Sequence, residues 1–124
     1  MTMIGTVRDD GTPILLLTLQ GPSGIEIKVP FVVDTGFTSA ISLPQDFVDA
    51  LGLPFREVGI IFVANEGVYE ISLYEGAVVW DGAARATTVH CLAGEPLVGL
   101  ELLMDHLLTL PVRSGETFTI RRLA

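Results

Sequence analysis

Short apolar runs, separated by turn-forming clusters of Gly, Pro, Asn and Asp, decide what this chain can fold into. Asp9-Asp10-Gly11, Gly21-Pro22-Ser23-Gly24, Asn65-Glu66-Gly67, Asp81-Gly82, Gly94-Glu95-Pro96 and Ser114-Gly115 supply the breaks. Between them, β-branched and apolar residues read as strands over Val7 to Arg8, Thr12 to Leu19, Ile25 to Phe31, Val32 to Asp34, Val58 to Ala64 and Val68 to Trp80. Further strands are expected over Arg85 to Leu92, Leu108 to Val112 and Thr117 to Arg121. The class is therefore mainly β, with a long projecting hairpin whose tip is Asn65-Glu66-Gly67.

One or two short helices complete the pattern. Phe47, Val48 and Leu51 fall at helical spacing between Pro44, near a first turn, and Gly52, at a C-terminal cap. Leu100, Leu103, Met104 and Leu107 recur at i, i+3, i+4 and i+7 and predict an amphipathic helix of about two to three turns. A chain of 124 residues makes one domain, 1–124, too small for two lobes. Hydrophobic residues at 49% against charged residues at 18% favour a packed core over disorder.

Charge and cysteine usage narrow the partners. Fifteen acidic against seven basic residues give a net charge of -8, which repels phosphate backbones and anionic lipid, so no nucleic acid and no membrane partner is expected. No apolar run approaches the roughly 20 residues that span a bilayer. The start, Met1 to Gly5, lacks a basic region and apolar core, and the single Cys91 forms no internal disulfide, which fits a cytoplasmic location. Arg121-Arg122 reads as a solvated chain end.

Asp34-Thr35-Gly36 is the segment that carries chemistry. It follows the apolar run Val29-Pro30-Phe31-Val32-Val33, so a carboxylate emerges where a buried strand enters a tight turn. Desolvating a carboxylate is costly, and such positions are often catalytic. Two carboxylates brought close together share a proton and activate a water, yet this chain supplies one such motif only. Read alone, Asp, Thr and Gly are also ordinary turn formers.

Phe31-Val32-Val33-Asp34-Thr35-Gly36, the hairpin around Asn65-Glu66-Gly67, and Leu97-Val98-Gly99-Leu100-Glu101-Leu102-Leu103 stand in the order and spacing of retropepsin-like aspartic proteases. The chain resembles the short, single-lobed bacterial members of that group. The resemblance implies a closed β-barrel that dimerises, each subunit giving one Asp, and a homodimeric endopeptidase that hydrolyses peptide bonds with a water held between two Asp34 carboxylates. No metal and no cofactor is implied.

By the same resemblance, Thr35 bridges the two site loops across the dimer, Gly36 admits substrate backbone, and Asn65, Glu66 and Gly67 form the tip of a flap over peptide substrate. Glu66 departs from the glycine-rich tips of viral members. Phe37 replaces the hydroxyl residue or alanine found elsewhere in the group; it lines the cleft or belongs to the core, and Thr38 offers a hydroxyl nearby. Gly99 is expected to let another segment pass close behind the site loop.

Other reactive side chains receive structural roles. His90 and Cys91 are neighbours in a strand and point to opposite faces, so they make a poor base and nucleophile. His106, near Asp105 and Glu101, lacks metal-ligand spacing and reads as solvated surface. The alternative function is a non-catalytic peptide-binding or dimerisation module that keeps the same fold.

Overall fold

A computed structural model describes residues 1–124. Its strands are β1 (Thr2–Val7), β2 (Pro13–Gln20), β3 (Glu26–Val33), β4 (Ile41–Leu43), β5 (Phe55–Val63), β6 (Gly67–Trp80), β7 (Ala83–Cys91), β8 (Leu97–Val98), β9 (His106–Thr109) and β10 (Thr117–Arg122). Two helices, α1 (Gln45–Leu51) and α2 (Leu100–Leu103), interrupt them.

All ten strands belong to one sheet, in the order β5-β6-β7-β4-β8-β3-β2-β1-β10-β9. An additional antiparallel contact joins β6 to β2 through Leu19 and Val78 and through Gln20 and Ala77, which closes six strands into a ring. Closure removes sheet edges along that ring and encloses one core. Val29, Phe31, Ile41, Leu43, Val78 and Val98 are completely buried there. The alternation along β2 shows how this arises: Leu15, Leu17 and Leu19 are buried, while Leu16 points out at 60% exposure. The mainly β expectation and its short helices hold.

Several boundaries move. β1 begins at Thr2 rather than Val7, because its pairing with β10 runs from Thr2 opposite Arg121 to Thr6 opposite Thr117. Gly5 hid this strand from the sequence: glycine weakens strand propensity, but here the Phe118 ring and the Ile14 carbonyl lie where a Cβ would stand. The two expected segments Ile25 to Phe31 and Val32 to Asp34 are one strand, β3, and the short β4 after the motif was not anticipated. β5 starts at Phe55 instead of Val58, with an irregular register between Phe55 and Glu57.

The largest correction concerns Leu100 to Leu107. The helix has one turn, not two to three, and ends before Asp105, whose φ of 64° is left-handed. His106 to Thr109 instead pairs with Thr119 to Arg122 as strand β9, which also replaces the strand expected over Leu108 to Val112. Of the helical stripe only Leu103 is buried, beside Leu102 outside it, while Leu100, Met104 and Leu107 are 36%, 65% and 39% exposed. Pairing with β10 gives these backbone groups partners that a second helical turn would otherwise have supplied.

Candidate active site

The Asp34 loop is built between two strands and held by a third. β3 delivers Asp34, and β4 leaves the loop at Ile41. Both strands pair with the two-residue β8: Val33 lies in parallel register with Val98, and Ile41 in antiparallel register with the same Val98. The loop from Asp34 to Ala40 is thus clasped at both ends by Leu97-Val98. The Asp34 amide donates to the Val98 carbonyl at 2.9 Å, which fixes the point where the strand stops.

Within the loop, the Gly36 amide donates to Asp34 Oδ1 at 2.8 Å and the Phe37 amide to the Asp34 carbonyl at 3.1 Å. A side-chain carboxylate accepting from the backbone two residues on forms a local turn, so the motif shapes its own loop. Asp34 is half-buried, whereas Thr35 and Gly36 are exposed. A Cβ on Gly36 would stand 3.1 Å from Asp34 Oδ1, so glycine leaves that carboxylate oxygen uncrowded.

Behind the loop lies the start of α2. The amides of Gly99, Leu100 and Glu101 donate to the carbonyls of Ala40 at 2.8 Å, Phe37 at 2.8 Å and Ser39 at 3.3 Å. The first amides of a helix lack intrahelical acceptors, and here the loop supplies them. Gly99 is buried, and the carbonyl oxygens of Ser39 and Phe37 occupy the space that a Cβ would need. Thus Asp34-Thr35-Gly36 and Leu97-Val98-Gly99, 60-odd positions apart in sequence by count, form one hydrogen-bonded unit.

Phe37 is half-buried and neither wholly core nor wholly free. Its ring meets His90 edge to face, with centroids 5.6 Å apart. His90 also lies 3.0 Å from Ser39 Oγ through Nε2. Nothing in the sequence signals this contact, because Phe37, Ser39 and His90 meet only through the pairing of β4 with β7. Cys91 does point elsewhere, donating to Gln45 Oε1 at 3.4 Å, and burial raises its thiol pKa, with Asp49 adding to the effect. Thr38 is exposed, and no side-chain hydrogen bond joins it to Asp34.

Asn65, Glu66 and Gly67 sit at the tip of the β5–β6 hairpin, remote in sequence from the loop. Asn65 and Gly67 take left-handed φ values of 65° and 92°, and the Glu66 amide donates to the Val63 carbonyl at 3.0 Å. All three are exposed. The arms are apolar on both faces: Val58, Ile60, Phe62 and Val68 point to solvent, and Ile61, Val63 and Ile71 are half-buried.

His106 is not the solvated surface residue expected. Its ring packs against Trp80 with centroids 5.5 Å apart, and Nδ1 lies 2.8 Å from the Met104 carbonyl. No group of His, Cys, Asp and Glu has a metal-binding arrangement. No helix is long and apolar enough to cross a membrane.

No family model matches the sequence, and no curated protein matches it. The three-dimensional structure is similar to the crystal structure of a retropepsin-like aspartic protease from Rickettsia conorii, with a TM-score of 0.65 and 17% identity over 100% of this chain and 92% of that one. The fold is retropepsin-like.

Proposed function

We propose that the protein is a homodimeric aspartic endopeptidase, in which Asp34 of each copy contributes half of the reacting pair. The observation that carries this reading is the Asp34 loop: a half-buried carboxylate at a strand end, with its backbone clamped by Val98 and α2. A fixed carboxylate is what a shared-proton dyad needs, since two carboxylates about 3 Å apart cannot both ionise. One member takes a proton from a water while the other protonates the peptide carbonyl oxygen, giving a tetrahedral intermediate with no covalent adduct. Thr35 and Gly36 are exposed, as residues that meet the second copy and the substrate must be.

An apolar surface beside the loop supports self-association. Leu100, Met104 and Leu107 are all exposed, and the Leu100 amide is bonded directly to Phe37. Exposed apolar patches of this kind mark interaction surfaces. The apolar β5–β6 hairpin, with Asn65, Glu66 and Gly67 at its tip, is the candidate cover for an extended peptide. The one free cysteine and the acidic balance fit a cytoplasmic enzyme that acts on peptide rather than nucleic acid.

The test is Asp34→Asn. Wild type should cleave members of a peptide library at mildly acidic pH, and the variant should lose about 10³-fold or more in kcat/KM, as expected for removal of a reacting group. Equal cleavage by both proteins would sink the assignment. Inhibitor binding by both, with cleavage by neither, would favour a non-catalytic peptide-binding module.

A further inference from the structure

His90 reaches the Asp34 loop from the far side of β4. Its Nε2 lies 3.0 Å from Ser39 Oγ and its ring packs edge-on against Phe37, so one side chain holds two residues of the loop. On its strand, His90 stands opposite Ser42 of β4 and Leu73 of β6. Nδ1 is buried and has no hydrogen-bond partner; the buried Ser42 Oγ also has none. The charged group that acts on the ring is Glu101 of α2, whose own amide donates to the Ser39 carbonyl at 3.3 Å. No carboxylate bonds Nδ1, so Ser39 and His90 lack the orienting third group of a nucleophilic triad.

We propose that His90 is a positioning residue for Asp34, on the reading that Asp34 is the reacting carboxylate: the neutral ring pins Phe37 and Ser39 to β7, and protonation of the ring releases the loop. A neutral imidazole carries one N–H, and either tautomer can satisfy Nε2 through the Ser39 hydroxyl. The imidazolium carries two. Its second N–H sits on Nδ1, where no acceptor stands, and an unmet buried donor is expensive. Burial accordingly holds the ring's pKa below its ordinary 6.5, against the opposing pull of Glu101. Once charged, the ring gains by leaving its place between Ser39 and Phe37 for water, since the attraction of Glu101 offsets only part of the cost of burial. A carboxylate pair that shares a proton favours acid, whereas its loop requires a neutral His90. The acid limb of turnover then belongs to His90.

Two measurements decide this, and only one depends on turnover. In an NMR titration of the isotope-labelled protein, the amides of Gly36, Phe37 and Ser39 should shift with the same midpoint as the His90 ring. That shared midpoint should vanish in His90→Gln, which keeps a polar side chain but cannot take up a charge. Ser39→Ala, which leaves the ring in place, should uncouple the amide at position 39 while the ring still titrates; this variant decides the matter if His90→Gln does not fold. In peptide cleavage, His90→Gln should remove the acid-side inflection of kcat while KM changes less than about twofold. Loop amides indifferent to the His90 titration, or an unchanged acid limb of kcat, would overturn the inference. Wild type that cleaves nothing would instead refute the protease reading, and the titration would still decide the role of His90.

Discussion

The Gly99 amide donates to the carbonyl of Ala40 at 2.8 Å, and this bond joins the start of α2 to the end of the loop that begins at Asp34. Two segments that look unrelated in sequence therefore share backbone hydrogen bonds, and the glycine between them is enclosed by the carbonyls of Ser39 and Phe37.

Gly99→Ala should be severely destabilising. The added methyl meets two backbone carbonyls and the inner edge of the Phe37 ring, so either β8 or the loop must move. The expected cost is about 3 kcal/mol, at the upper end for forced overpacking, measured as a shift of the urea midpoint. Peptide cleavage by the fraction that remains folded should also fall, because the displaced loop carries Asp34.

Stability should decline on the acid side through His90. Its folded pKa is lowered by burial, so the unfolded chain binds the proton more readily between that lowered value and 6.5. The contribution of the neutral ring is complete above about pH 6.5 and is lost as pH falls through the folded pKa. Urea midpoints of wild type and His90→Gln should diverge over that window, with wild type losing more as pH decreases. Parallel curves would mean that the ring titrates alike in both states.

Cys91 should be a slow thiol. Burial raises its pKa, and the Asp49 carboxylate does so further, so less thiolate is present near neutral pH. Iodoacetamide at slightly alkaline pH should modify the folded protein more slowly than the urea-unfolded chain, followed by mass spectrometry.

Met104→Asp should separate association from folding. Met104 is 65% exposed and makes no part of the buried core, so the monomer's stability should change by no more than about 0.5 kcal/mol. A charge placed in an apolar contact between copies should weaken self-association by about tenfold or more in sedimentation equilibrium. Unaltered association would move the dimer contact away from α2.

Much of the fold was readable because turn residues are local signals. Gly52 has a φ of 64° and ends α1 where its sequence position suggested, and Asn65 and Gly67 reverse the chain at the hairpin tip. β-branched runs likewise need only a half-buried surface to become strands, and most did. The departures at α2 and at β1 share one cause. Leu100, Leu103, Met104 and Leu107 have helical spacing, but β10 offered His106 to Thr109 a strand partner, and periodicity carries no information about partners. Gly5 was unreadable for the same reason: its strand exists because Phe118 lies across it.

The site divides along the same line. Local chemistry suffices to put a carboxylate at the end of an apolar strand, in a loop shaped by its own Asp34 and Gly36, since these interactions span only two residues. Tertiary structure alone decided that Val98 would clasp both ends of that loop, that Gly99 would pass behind it, and that His90 would hold Phe37 and Ser39. These contacts join residues far apart along the chain, and the pairing of β8 with β3 and β4, and of β4 with β7, brings such segments within bonding distance.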